Sequence, residues 1–243
     1  ADIARDVEVQ MAAAGYAVLS NASAHRMDPD TPLLIPEVNP DHLALIPIQR
    51  EKRGWDKGFI VTNPNCSTIG LTLALKPLHD AYGVRIVMVT TMQALSGAGY
   101  PGVPSLDILD TIIPYIKGEE EKMIQEPRKI LGDFVPTEGK VRPAFMLISP
   151  SCNRVAAIDG HLETVSVELE REAAVEEVIA AFRNFTSLPY ELGCPSAVNP
   201  TIIVRDEPDR PQTRRDRDAG NGMTITVGRV RPCEVLEHKF VVL

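Results

Sequence analysis

A strand-like run from Phe59 to Thr62 breaks on the turn Asn63-Pro64-Asn65, and a helical pattern with Ile69, Leu73 and Leu78 apolar follows from Ser67 to Tyr82-Gly83. The chain then enters Val84 to Met92, a stretch rich in β-branched residues that reads as a strand. A strand, a turn, a helix and a second strand in direct succession restrict the chain to folds that layer helices on a sheet. The remaining segments agree. A helix is expected from Ala1 to Ala14, stopped at Gly15, and then a short buried strand from Tyr16 to Leu19. An irregular segment carries Pro29, Pro32, Pro36, Pro40 and Pro47. Further on, strands are expected at His161 to Leu169, Ile202 to Val204 and Met223 to Val230, and an apolar strand-like run at Lys239 to Leu243. A helix from Arg171 to Phe185 aligns Val175, Val178, Ile179 and Phe182 on one face, with Glu172 and Glu176 off it. The class is α/β or α+β.

The formal charge of −8 argues against a nucleic-acid or anionic-membrane surface, both of which need a basic footprint. A small anionic ligand is still compatible, because a few local Arg and Lys residues suffice for it. No apolar run is long enough to span a bilayer, and no signal-peptide pattern opens the chain. Cys66, Cys152, Cys194 and Cys233 are far apart and form no CxxC pair, so they read as thiols of a reducing compartment, with the cytoplasm expected. Both termini fall inside regular elements, where a fraying polar end is usual, and a fragment is therefore expected.

Several residues are candidates for chemistry. Cys66 follows a strand and turn and opens a helix, where amide donors and the helix dipole favour thiolate, the nucleophilic form. Position alone leaves open a cysteine packed as a small hydrophobe. His161, after Asp159-Gly160, shares its strand face with Val165, Val167 and Leu169, and serves either as an acid/base or as a satisfied edge residue. Arg154 is able to grip a carboxylate through two parallel hydrogen bonds or merely to cover a surface. The loop from Ser96 to Gly102 holds three glycines, which permit close approach to a ligand or a plain tight turn. Glu119-Glu120-Glu121-Lys122 on its own reads as a solvated helix start. The run from Arg205 to Asp218, with charges of both signs, reads as a solvated connection between strands.

Taken together, these motifs are familiar. Asn63-Pro64-Asn65-Cys66-Ser67-Thr68, then Gln93 with Ser96-Gly97-Ala98-Gly99, then Asn153-Arg154 ahead of Asp159-Gly160-His161 resemble the aspartate-semialdehyde dehydrogenases. Pro101 to Asp107 and Asp216 to Met223 point to one branch of that family, and the resemblance covers nearly the whole chain. Glyceraldehyde-phosphate dehydrogenases place Ser-Cys-Thr-Thr at the nucleophile, and acetylglutamyl-phosphate reductases usually read Asn-Pro-Gly-Cys-Tyr. Neither matches Asn65-Cys66-Ser67. Malonyl-CoA reductase keeps the same Cys/His machinery and is not separated by these motifs.

The resemblance implies a partial Rossmann-type NADP domain over residues 1–66. A glyceraldehyde-phosphate-dehydrogenase-like domain for substrate binding and dimerisation, a mixed sheet with helices on one face, would span 67–231. Residues 232–243 would start a segment returning to the NADP domain. The implied activity is NADPH-dependent reductive dephosphorylation of aspartyl 4-phosphate to aspartate 4-semialdehyde, in lysine, threonine and methionine biosynthesis. Cys66 would carry a thioester, His161 would take the thiol proton and manage the thiohemiacetal oxygen, and Gln93 would orient the acyl group. Arg154 would hold the substrate carboxylate and Glu119 its ammonium, with Glu120 as the rival. Arg26, Lys122 and Asn65 would take the phosphate. Ser20, Asn21, Ser23, Ser96 and Gly97 are the implied NADP contacts, with no metal and a homodimer or homotetramer. No glycine-rich dinucleotide turn precedes Ala1, and the family's final segment is missing after Leu243, so weak NADP binding by the 243-residue chain is expected. Malonyl-CoA reductase and a non-catalytic oligomerising remnant are the competing readings.

Overall fold

The computed structural model describes residues 2–236 and 239–242. Ala1 and Leu243, the outer ends of two expected elements, lie outside them. The first part comprises α1 (Asp2–Ala13), β1 (Ala17–Ser20), α2 (Leu45–Arg53) and β2 (Phe59–Thr62). Next come α3 (Cys66–Tyr82), β3 (Val84–Gln93), α4 (Ser105–Ile108), α5 (Glu119–Ile130), β4 (Asp133–Val135) and β5 (Lys140–Arg142). Then follow β6 (Leu147–Arg154), β7 (Leu162–Leu169), α6 (Val175–Arg183), α7 (Leu188–Glu191), β8 (Ile202–Arg205) and α8 (Thr213–Asp216). β9 (Ile225–Gly228), β10 (Arg231–Pro232) and β11 (Lys239–Val242) complete the described α-helices and strands.

β1 and β2 pair in parallel, with α1 packed over them through Ala12, Val18 and Ile60. Gly58 makes that packing feasible, because a Cβ there would lie 1.8 Å from the Ala12 carbonyl oxygen. Gly58→Ala is expected to push α1 off the strand pair, at a cost of about 1–3 kcal/mol. A lowered melting temperature in calorimetry checks this.

The main sheet runs β10-β11-β7-β3-β6, with β3 parallel to β6 and antiparallel to β7. The sheet is therefore mixed, as expected. Along β3 the buried residues Val87, Val89, Thr91 and Gln93 alternate with exposed or half-buried ones, the period-2 pattern of a sheet covered on one side. α3 and α5 supply that cover. Leu71, Leu75 and Leu78 of α3 join Val87, Val167 and, from α6, Val178 and Phe182 in one core cluster. The opposite face is bare: Met88, Leu147 and the neighbouring Phe145 are exposed.

Some expectations need correction. The proline-rich segment contains a helix, α2; its Pro47 sits in the first turn, where no intrahelical partner for an N–H is needed. β1 starts one residue later than expected and is only half buried, with Tyr16 and Leu19 exposed, because only Val18 and Ser20 face inward. α6 begins at Val175, where the Glu177 carboxylate accepts the Ala174 N–H at 2.7 Å and fixes the start. The charged run 205–218 is mostly solvated, but Asp216 within it is buried. It accepts hydrogen bonds from Arg205, Arg210 and the Gln212 amide. These bonds hold its carboxyl below the usual range, with the Arg210 hydrogen bond the largest influence.

Candidate active site

Cys66 is the first residue of α3, and Asn65 is its N-cap. The Asn65 Oδ1 accepts the Ser67 and Thr68 amides at 3.0 and 3.3 Å, while its Nδ2 donates to Glu119 Oε2 at 2.7 Å. The strand register brings the other groups to the same place. Gln93 and Arg154 are paired residues at the ends of the parallel neighbours β3 and β6. Met92 pairs with Leu162, which puts His161 beside the end of β3. His161 Nε2 lies 3.1 Å from Cys66 Sγ, and the Ala94 N–H donates to His161 Nδ1 at 3.0 Å. Arg154 Nη1 donates to the Ala94 carbonyl at 2.6 Å.

A cavity of about 810 Å³ opens beside Cys66 and is lined by Cys66, Gln93, Gly97, Glu119, Lys122, Arg154, Asn21, Ser23, Arg26 and Asn65, while His161 and Cys66 together line a second cavity of about 330 Å³. Its charges are largely matched. Lys122 donates to Glu119 Oε1 at 2.6 Å, and Arg26 Nη1 to Glu126 Oε1 at 3.0 Å. Burial raises the Glu119 carboxyl, but the Lys122 and Asn65 hydrogen bonds outweigh it and hold the group below its usual range. Arg154 differs. It is 6% exposed, and among the described residues no carboxylate lies within ion-pair distance of it.

Ser20 and Ser96 are turned elsewhere. The Ser20 hydroxyl donates to Glu8 and accepts the Ala22 amide, and the Ser96 hydroxyl donates to Asp159 at 2.8 Å. Glu120 also stands apart, accepting the Cys152 amide. Two groups in the site have no counterpart among the expected residues. Glu126, nearly fully buried, accepts the Asn65 amide at 2.7 Å as well as Arg26. Lys129, one turn further along α5, donates to the carbonyls of Arg26, Asp28 and Thr31, and burial takes its ammonium down to about 8. Glu119, Lys122, Glu126 and Lys129 recur at helical spacing, a signal that a charged stripe hides when it is read as solvated.

The thiolate expected from the helix N-terminus is not favoured. Cys66 is open to solvent on one side, yet crowding protein pushes its thiol above the ordinary value and the Glu119 carboxylate adds to the effect, outweighing nearby hydrogen bonds. Asn65 also occupies two of the amides that the expectation relied on. Burial and the neighbouring Arg154 charge lower His161, against Glu119 and Asp159, so its ring is neutral near pH 7. Alkylation of Cys66, followed by peptide mass spectrometry, is expected to accelerate with rising pH through a midpoint above that of a free thiol. A midpoint below it would restore the thiolate reading. Cys152, buried beside Thr91 and pushed up to about 11, should react last.

A thiol touching a histidine, with an open polar cavity at strand ends lined by that thiol and by a guanidinium that has no carboxylate partner among the described residues, is the arrangement that a cysteine-dependent acyl-transferring enzyme would use. The family described as semialdehyde dehydrogenase, dimerisation domain, matches residues 75–243, and its NAD binding domain matches residues 1–46. The chain belongs to the semialdehyde dehydrogenase family. Its relatives there are aspartate-semialdehyde dehydrogenases: that of Archaeoglobus fulgidus is 59% identical over all of this chain and 68% of its own length. The enzyme of Methanothermobacter thermautotrophicus is 55% identical over 95% of this chain and 65% of its own length. The crystal structure of the Candida albicans aspartate-semialdehyde dehydrogenase with NADP superposes with a TM-score of 0.89 at 42% identity, covering 100% of this chain and 69% of that one. The chain thus spans about two thirds of the length of its relatives. Among the described residues no helix is long and apolar enough to cross a membrane, and no cluster of three or more His, Cys, Asp or Glu residues is placed to hold a metal ion.

Proposed function

We propose that the protein reduces aspartyl 4-phosphate to aspartate 4-semialdehyde with NADPH, through a thioester on Cys66. The observation that carries this reading is the contact of 3.1 Å between Cys66 and His161, with Cys66 on the wall of a cavity that Arg154, which has no carboxylate partner among the described residues, also lines. The boundary between the cofactor-binding and substrate-binding parts falls at Cys66. The first part ends at residue 66, the second spans 67–231, and 232–243 begins the return.

Cys66 Sγ attacks the acyl carbon and expels phosphate. Arg154, lacking a protein anion, takes the α-carboxylate by a charge-assisted bond, and Gln93, anchored to Thr91 Oγ1 at 3.3 Å, orients the acyl oxygen. Glu119 takes the substrate ammonium and releases Lys122, which joins Arg26 and Asn65 at the phosphate. NADP supplies hydride chemistry at the acyl carbon. The residues present fit that group. Gly97 leaves open the space beside the reacting pair, since a Cβ there would come within 3.0 Å of Arg154 Nη1 and 3.3 Å of His161 Cε1. Asn21 and Ser23 lie on the loop after a parallel strand, the usual side for a dinucleotide. Ser20 acts from behind, fixing that loop through the Ala22 amide, and Ser96 holds Asp159 next to His161. The bare sheet face around Met88 and Leu147 fits a second copy of the chain, in a homodimer or a homotetramer built from it.

The protein expressed from its complete reading frame should form NADPH from aspartate semialdehyde only when phosphate is added. Oxidation of NADPH by malonyl-CoA alone would transfer the function to a reductase, and inactivity in both assays of a folded protein would favour an oligomerising remnant. Arg154→Lys is expected to raise KM for the semialdehyde by about 10- to 100-fold, because a point charge replaces the two-pronged guanidinium. An unchanged KM would remove Arg154 from the carboxylate site.

A further inference from the structure

His42 is fully buried and lines neither cavity. It sits in a 3₁₀ turn, Pro40–Ala44, in the first part of the chain. Its two ring nitrogens join segments far apart in sequence. Nδ1 lies 2.8 Å from Asn39 Nδ2, and Nε2 lies 2.9 Å from the carbonyl oxygen of Gly132, just past the end of α5. The Asn39 amide fits in one orientation only. Its Oδ1 accepts the Ile35 N–H at 2.8 Å, and its Nδ2 donates to the Leu33 carbonyl at 2.9 Å. The group facing Nδ1 is therefore an N–H, and Nδ1 must present a lone pair. The Gly132 carbonyl can only accept, so the ring hydrogen is on Nε2. Only the neutral ring satisfies both neighbours. The Leu34 N–H in turn donates to the Thr62 carbonyl, so the bridge runs from β2 through Asn39 and His42 to α5. Three residues before Gly132, Lys129 donates to the carbonyls of Arg26, Asp28 and Thr31. The end of α5 is thus held to the first part of the chain at two adjacent points.

We propose that His42 is a positioning residue that works as an acid-sensitive latch: its neutral ring fastens the end of α5 to the first part of the chain, and a second ring hydrogen releases it. A hydrogen on Nδ1 would meet the Asn39 N–H head-on, and the amide cannot turn to receive it without giving up Ile35 and Leu33. The charged groups facing the ring are Asp41 from its own turn, Lys129 from α5 and Asp133 from β4. Burial holds the ring below its ordinary 6.5, and the Lys129 charge adds to this against the Gly132 hydrogen bond and the two carboxylates. The sign follows. A ring that resists the proton when fastened and takes it freely when released contributes its full stability above pH 6.5 and loses it as the pH falls. The catalytic consequence rests on the proposed function, because the loop steadied at this end of α5 carries Arg26.

In the complete protein labelled with ¹⁵N in its histidines, long-range ¹H–¹⁵N correlation spectra at about pH 6, below the value of a free ring, should show His42 with a pyridine-type Nδ1 and a pyrrole-type Nε2. The resonances are assigned by their loss in His42→Gln. Two pyrrole-type nitrogens, or the reverse tautomer, would overturn the latch. Hydrogen exchange of the parent needs no variant. Corrected for the intrinsic pH dependence of exchange, protection of peptides spanning 33–42 and 128–133 should fall on the order of 10-fold from about pH 7 to pH 5, while β3 keeps its protection. Protection that falls equally in all three would remove the acid sensitivity. Kinetics give the last readout. His42→Gln keeps a donor for Gly132 and has nothing to titrate. At about pH 7.5 its KM for phosphate should exceed the parent's by about 3- to 10-fold with kcat within about twofold, and the ratio should narrow as the pH falls to about 5.5. The titration of phosphate itself cancels in that ratio. A constant ratio, or a loss in kcat alone, would show that His42 does not position the Arg26 loop. The spectra and the exchange need no substrate, so an inactive protein that passes both would count against the function and not against the latch.

Discussion

Cys66→Ala is expected to leave the protein folded and to lower turnover of aspartate semialdehyde on the order of 10⁴-fold or more, since the covalent route loses its nucleophile. Little in the fold should change. The side chain is exposed at the mouth of the cavity, and the start of α3 is held by Asn65, not by the cysteine. The assay is NADPH formation with phosphate, run beside circular dichroism to establish folding. Residual turnover within tenfold of the parent would show that the sulfur carries no intermediate and would end the thioester reading.

Phe182→Ala should have the largest effect on stability, about 3–5 kcal/mol. Phe182 is fully buried in the cluster shared by α3, α6 and the main sheet. Urea unfolding of the parent and the variant gives the difference directly, provided the slope is unchanged. A loss below about 1 kcal/mol would mean that α6 repacks and is not a fixed part of this core.

Much of the architecture was legible because it obeys simple periods. The turn Asn63-Pro64-Asn65 ahead of an amphipathic run placed α3 to within a residue, and the β-branched stretch placed β3. The pairing of Cys66 with His161 came from motif resemblance, since 95 residues separate them and no local pattern relates them. What escaped the sequence is instructive. The Ala94 amide has no side-chain signature at all. Glu126 and Lys129 look like ordinary members of a charged helix, and only the tertiary fold reveals that their stripe faces inward. The helix dipole favoured a Cys66 thiolate, but burial and the Glu119 carboxylate, both invisible in the local sequence, act more strongly. Asp216 was lost among solvated neighbours for the same reason as Glu126.

The two buried charges of α5 also determine where the site is stiff. Glu126 ties the Arg26 loop and the turn before Cys66 to one helix, and Lys129 fastens three carbonyls of residues 26 to 31 to the same helix. Each of these charge-assisted bonds is worth roughly 1.5–3 kcal/mol, and several would have to break together for the loop and the nucleophile to move apart. No hinge can sit there cheaply. Residues 96–100, by contrast, are exposed, and Gly99 and Gly102 hold φ values of 72° and 82°. Under the proposed function, the helix would therefore keep Cys66 and Arg26 in one register while substrate and product come and go.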